Sequence, residues 1–251
     1  MRILITFLLV SSQLYCLGNS DSTILSKAQQ FRTELNEDSA FYYFSKILVE
    51  DSNNLEALWS LSYYHALRGR RTDDEDIKMP HYDTSRVYAD RAYRIDTNHA
   101  KTNYVMALAM GIVAEIAGPT ERIAASKMIK YYCERSIEID STYAKPWYIL
   151  GRWHNAIANL NFLEILAADL LFGGAPEGAT DEDALRCMKQ ALKNEPSSFL
   201  YYHGLALAYE ELDMDEEAIK VLEEAIKLPL VEIDSKANKQ RCIDLLEDLK
   251  D

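Results

Sequence analysis

Five stretches of this 251-residue chain repeat one spacing of small and apolar residues, and that register limits the fold more than any other feature. Ala40, Phe44, Ile47 and Ser52 stand 4, 3 and 5 apart. The same steps recur at Ser85, Ala89, Ala92 and Thr97, at Ile129, Cys133, Ser136 and Ser141, and at Ala184, Met188, Ala191 and Pro196. Ala218, Leu222 and Ala225 repeat the first two steps, with Pro229 one residue short of the third. Steps of three and four put side chains on one helix face. A second pattern starts six residues past the end of the first. It reads Leu58, Leu61, Ser62, His65, then Trp147, Leu150, Gly151, His154, then Tyr202, Leu205, Ala206, Tyr209.

Each second pattern is a helix A, and each 4-3-5 stretch is a helix B. Small residues at Ser62, Gly151 and Ala206 let antiparallel helices approach closely, and large ones such as Trp147 and Tyr202 fill the gap to the next pair. Pro196 cannot continue a helix. This is the spacing of the tetratricopeptide repeat. The expected fold is all-α, a tetratricopeptide repeat-like α-solenoid of about five antiparallel helix pairs plus a C-terminal capping helix. One domain is expected over 19–251, with repeats at about 20–50, 54–96, 99–140, 143–195 and 197–228 and a cap at 234–250. In the cap, Lys236, Lys239, Gln240, Asp244, Glu247, Asp248 and Lys250 give the stack a polar end.

The helix B alanine falls 16 residues after the helix A large residue from Tyr202 to Ala218. Three other pairs carry inserts of 11, 10 and 21 residues. The first, Arg70 to His81, reads as a solvated acidic loop. The longest continues its helix through Leu163, Ile165, Leu166, Leu170 and Leu171, then breaks at Gly173-Gly174-Ala175-Pro176, with Thr180 or Asp181 capping the next helix.

At the N-terminus, Arg2, the apolar run Ile3 to Val10 and the small residues Cys16 and Gly18 form a signal-peptide pattern over 1–18. It predicts an exported, periplasmic or secreted protein, with no stable membrane span after cleavage. The alternatives are an N-terminal membrane anchor or a cytoplasmic or organelle-surface location. The mature chain would hold Cys133, Cys187 and Cys242, an odd set without CxxC that reads as small apolar packing.

With 27 Lys+Arg against 40 Asp+Glu the net charge is −13, which repels phosphate backbones and argues against nucleic acid. No Walker loop, GxGxxG, HExxH or GxSxG occurs, and no two of the five histidines share a helix at metal-ligand spacing. No enzyme, metal or cofactor is expected. The binding candidate is the concave groove. Relative to the large helix A residue, the groove positions give Trp59 and Tyr63, then Lys101 and Tyr104, then Lys145, Tyr148 and Arg152, with Asn155 a turn on and His203 in the last repeat. Exposed Trp, Tyr and Arg are enriched at binding hot spots. The expected partner is a protein or peptide segment, with acidic ligands favoured.

The long insert also carries a likeness. Leu150-Gly151-Arg152-Trp153, then Leu170-Leu171-Phe172-Gly173, Pro176, Thr180 and Asp183-Ala184-Leu185 resemble the regulator of microtubule dynamics family. Its members carry an LGRW segment, an extended helix, an LFG-x-x-P turn and a helix opening Glu-Ala-Leu, where Asp183 here replaces the Glu. The likeness spans about residues 36–228 and is sharpest over 143–196. It implies a non-enzymatic tetratricopeptide-like protein associated with microtubules and spindle poles or with organelle membranes. Microtubules are then partners only of a cytoplasmic protein, and export would leave only the fold and a binding role. Two readings stand beside the peptide scaffold: a small-molecule binder whose 156–179 insert closes a pocket lined by Trp153, Phe162 and Leu166, and a microtubule- or organelle-associated protein anchored at its N-terminus.

Overall fold

The computed structural model describes residues 23–171, 174–231 and 234–250. The signal pattern at 1–18 lies outside them. The described residues form helices and no strands. The chain divides into two compact units, one ending at Ile95 and one beginning at Asp96.

The first unit holds α1 (23–33), α2 (Glu37–Glu50), α3 (Leu55–Arg70) and α4 (Glu75–Ile95). The second holds α5 (Ala100–Ile116), α6 (Pro119–Ile139), α7 (Ala144–Ala158), α8 (Phe162–Leu171), α9 (Asp181–Asn194), α10 (Phe199–Glu210), α11 (Asp215–Ala225) and α12 (Ser235–Asp248). The helix A and helix B patterns fall on α1/α2, α3/α4, α5/α6, α7/α9 and α10/α11, and α12 docks on the last pair.

The 4-3-5 register marks where helices meet. Ala40, Phe44, Ala89, Ala92, Cys133, Ala184, Met188, Ala191, Ala218, Leu222 and Ala225 are all buried. Where the close contact uses serine, the hydroxyls pair with backbone. Ser62 Oγ donates to the Ser85 carbonyl at 2.9 Å and Ser85 Oγ to the Ser62 carbonyl at 2.8 Å. Ser136 Oγ donates to the Ala100 carbonyl at 2.7 Å. Each buried hydroxyl is thus satisfied while its small volume keeps the helices close. A Cβ on Gly151 would sit 3.0 Å from Met188 Cε and 3.2 Å from Cys187 Cβ, so this position does need the smallest side chain. Cys133, Cys187 and Cys242 are buried free thiols.

Two expectations about the inserts change. Arg70 to His81 is not a loop: α3 runs to Arg70 and α4 starts at Glu75. Thr72 Oγ1 accepts from the Asp74 amide and Asp74 Oδ1 from the Asp76 amide, while Glu75 and Asp76 complement the helix dipole. The insert therefore lengthens both helices, and α4 reaches 21 residues with Pro80 inside it. The long insert does not continue α7 either. That helix stops at Ala158, where the Asn159 side-chain amide donates to the Asn155 carbonyl at 3.0 Å and to Asp181 Oδ1 at 3.1 Å. α8 is a separate helix with Leu170 and Leu171 exposed.

Candidate functional site

In the first unit the groove positions are enclosed by α1 and α2. Trp59 is 9% exposed, with the Arg32 guanidinium 5.0 Å from its ring centroid. Arg32 is 2.8 Å from Glu56, and Gln29 donates to the same carboxylate at 2.9 Å. Tyr63 is half-buried and packs on Tyr64 at 5.8 Å. Arg68 lies 3.9 Å above the Phe41 ring and pairs with Glu37 and Asp38, and Arg71 also reaches Glu37. His65 and His81 come from different helices, which spacing along one helix could not reveal. Their Nδ1 atoms are 2.9 Å apart, so one ring's N–H donates a hydrogen bond to the other ring's nitrogen. Burial, then His81 and Arg68, lower His65 to about 4.

In the second unit α5, α7 and α10 present one face. Tyr104 is 6% exposed and stacks edge-on against Tyr143 at 5.3 Å, with Lys145 Nζ 5.9 Å from its centroid. Tyr148 is half-buried, 5.3 Å from the Tyr201 ring, and packs over Gly204. Burial and then Glu195 push the Tyr201 phenol up, so that phenol stays neutral. Lys101 is half-buried. Arg152 is exposed and donates to Tyr148 Oη at 3.2 Å. No described carboxylate pairs with it, Glu115 included. Asn155, one turn further, is half-buried, and its amide nitrogen is buried with no hydrogen-bond partner. His203 on α10 is half-buried, and burial, then Arg241 and Arg152, hold its imidazole below the ordinary value.

Lys101, Tyr104, Lys145, Tyr148, Arg152, Asn155 and His203 thus lie on helix A elements of one unit, while Trp59 and Tyr63 lie in the other. Sequence spacing did not bring Arg241 of the cap into the electrostatic surroundings of His203. The α12 stripe was legible, since Cys242 and Leu246 face the core. Arg241 precedes Cys242, whose thiol donates to the Phe199 carbonyl of α10 at 3.5 Å.

Of the three residues expected to line a pocket, the Phe162 side chain lies outside the described residues. Trp153 is buried, its indole N–H shared between the carbonyl and hydroxyl of Ser126, whereas Leu166 is 40% exposed. Beside α8 lies a hollow of about 190 Å³ lined by Ile157, Leu160, Ile165, Asp169, Ala175, Pro176 and Glu177. No helix among the described residues is long and apolar enough to cross a membrane.

Among solved structures, a thermophilic TPR protein of Thermus thermophilus matches 89% of this chain and 98% of its own, with TM-score 0.62 and 15% identity. Yeast Tom70 matches 92% of this chain and 40% of its own, with TM-score 0.52 and 17% identity. They support the tetratricopeptide fold alone. Among curated proteins, regulator of microtubule dynamics protein 3 of Rattus norvegicus is 26% identical over 78% of this chain and 42% of its own length. Protein 2 of Mus musculus is 24% identical over 90% and 56%, and protein 1 of Bos taurus 27% identical over 60% and 47%. The chain spans about half the length of these relatives.

These relatives overturn the expected export. They are named for regulating microtubules, polymers that a periplasmic or secreted protein does not meet. The pattern at 1–18 that suggested export lies outside the matched span. The model of regulator of microtubule dynamics protein 1-3 matches residues 24–250, nearly the whole chain, and the chain therefore belongs to that family.

Proposed function

We propose that this protein is a non-enzymatic helical scaffold that holds a segment of another protein on the inner face of α5, α7 and α10. The relatives' names support a role in the control of microtubule dynamics. The observation that carries the reading is Arg152: an exposed guanidinium oriented by the Tyr148 hydroxyl, beside a tyrosine shelf, with no described carboxylate neutralising it. Aromatic and Arg side chains in that setting are the usual anchors of an interface.

A peptide-display selection on the full chain tests this. Selected peptides are expected to slow amide exchange in α7 and α10 and to leave the outer face of α11 unchanged. Exchange protection confined to α9 or α11, or no enrichment at all, contradicts the assignment.

A further inference from the structure

The long insert leaves apolar surface that its own fold does not use. α7 and α9 pack directly on one another, whereas α8 makes no extensive contact with any other described helix. Ile165, Leu166, Leu170 and Leu171 are all exposed, and no other ten-residue stretch among the described residues exposes more than two large apolar side chains. Single exposed leucines need no explanation, but a contiguous apolar patch edged by polar groups does. Ile165 and Asp169 form one i, i+4 row of α8, and Leu166 and Leu170 form the next. The first row lines the hollow of about 190 Å³, together with Ile157 and Leu160 near the end of α7 and Pro176 and Glu177 of the turn that follows α8. Backbone bonds hold that turn in place: the Gly174 amide donates to the Ala168 carbonyl at 3.0 Å and the Ala175 amide to Asp169 Oδ1 at 3.2 Å.

The charge on the hollow has one sign. Asp169 and Glu177 are both exposed, no basic residue joins them in the lining, and α8 contains no Lys or Arg. Lys130 comes near the turn at Gly178 but stands over the Trp153 ring, 5.1 Å from its centroid, which leaves the carboxylates in excess. Apolar walls beside two carboxylates select a ligand that carries apolar and cationic groups together. A second copy of this chain would set the same carboxylates against themselves across a two-fold interface, and an anionic lipid surface would meet the same repulsion.

We propose that this hollow and the Leu166/Leu170 row dock a basic amphipathic helical segment of another protein. One large apolar side chain of that segment enters the hollow, another packs along Leu166 and Leu170, and flanking Lys or Arg groups meet Asp169 and Glu177. The site uses none of the side chains assigned to the inner face of α5, α7 and α10, so it is a second docking surface.

The test titrates a labelled Leu/Lys amphipathic helix peptide into the full chain, with a Leu/Glu peptide of the same apolar pattern as control. The Leu/Lys peptide is expected to bind and the Leu/Glu peptide not to. Leu166→Ser combined with Leu170→Ser should weaken binding roughly tenfold, because a few anchors carry most of such an interface. Asp169→Asn combined with Glu177→Gln should weaken it roughly threefold, a difference that vanishes in high salt. Asn at 169 can still accept from the Ala175 amide, so the turn is kept. Asp83→Asn combined with Asp90→Asn, exposed on α4 of the other unit, removes the same charge and should change nothing. Unaltered melting temperatures show that the variants fold. Affinity unchanged by the leucine pair overturns the site, and so does an equal loss from the Asp83 and Asp90 pair, which would mean general attraction to an acidic chain. Self-association in sedimentation, or capture by phosphatidylserine vesicles, that the leucine pair abolishes would give the patch to a second copy or to a membrane and overturn the proposal as well. The inner-face reading is tested apart from this, by protection of α10, which the hollow does not include.

Discussion

Glu56, Trp59 and Tyr63 in the first unit occupy the same repeat positions as Lys145, Tyr148 and Arg152 in the second. In the first, α1 supplies Arg32, which bonds Glu56 and covers the indole of Trp59. In the second, Tyr148 keeps an edge on solvent and Arg152 carries no described counter-ion. One register therefore yields a covered Trp59 in one place and an exposed Arg152 in the other, while Tyr104 of the second unit is buried like Trp59. The difference comes from what the chain lays over the position, not from the position itself. A repeat pattern tells where a binding residue can stand, and only the neighbouring helix decides whether it is free.

The strongest way to probe the contrast is through the close-packed glycines. A Cβ on Gly69 would lie 2.5 and 2.6 Å from ring carbons of Tyr82, which is fully buried and has nowhere to turn. Gly69→Ala should cost about 3 kcal/mol in denaturant unfolding. At Gly151 the nearest atom, at 3.0 Å, is the Met188 methyl, the end of a flexible side chain. Gly151→Ala should cost about 1 kcal/mol, because a thioether chain can shift. Equal costs would show that the two units do not differ in how tightly they are fixed.

A smaller effect separates the arginines. Arg32→Ala leaves Glu56 with Gln29 but without its counter-ion and uncovers Trp59, and should lower stability by about 1–2 kcal/mol. Arg152→Ala removes an exposed group and should stay within about 0.5 kcal/mol. Comparable losses at both would mean that Arg152 is structural too.

Smaller still is a pH effect confined to the first unit. His65 is held near 4 against an ordinary 6.5, so the folded chain keeps it neutral where the unfolded chain binds a proton. Stability contributed by this group is complete above about pH 6.5 and declines as pH falls toward about 4. After solvent screening the loss is on the order of 1 kcal/mol. His65→Phe should flatten this slope in melts recorded across the window, and an unchanged slope would remove the histidine pair as its source.

Much of the fold was legible because small residues at fixed steps can serve only close helix contact. Ala89, Cys133, Ala184 and Ala218 are buried where the register put them. The acidic insert after Arg70 misled because charge without apolar periodicity reads as loop. Its helix-start signal was still present, in Asp74 followed by Glu75 and Asp76. The end of α7 was hidden because its stop is an asparagine amide tied to Asp181, a contact 22 residues away in sequence. At the candidate site, sequence spacing identified Tyr148 and Arg152 but could not show that Trp59 lies under Arg32, since that depends on where α1 packs.

In the second unit Arg152 of α7 is exposed beside half-buried Tyr148, whereas in the first Arg32 of α1 covers Trp59. Arginine-selective labelling with a phenylglyoxal reagent, mapped by mass spectrometry with and without a display-selected peptide, tests this contrast most directly. Arg152 should label quickly in the free protein and slowly in the complex, while Arg32 and Arg68 label slowly in both. Labelling of Arg32 as fast as that of Arg152, or an Arg152 that the peptide leaves unprotected, would contradict the account.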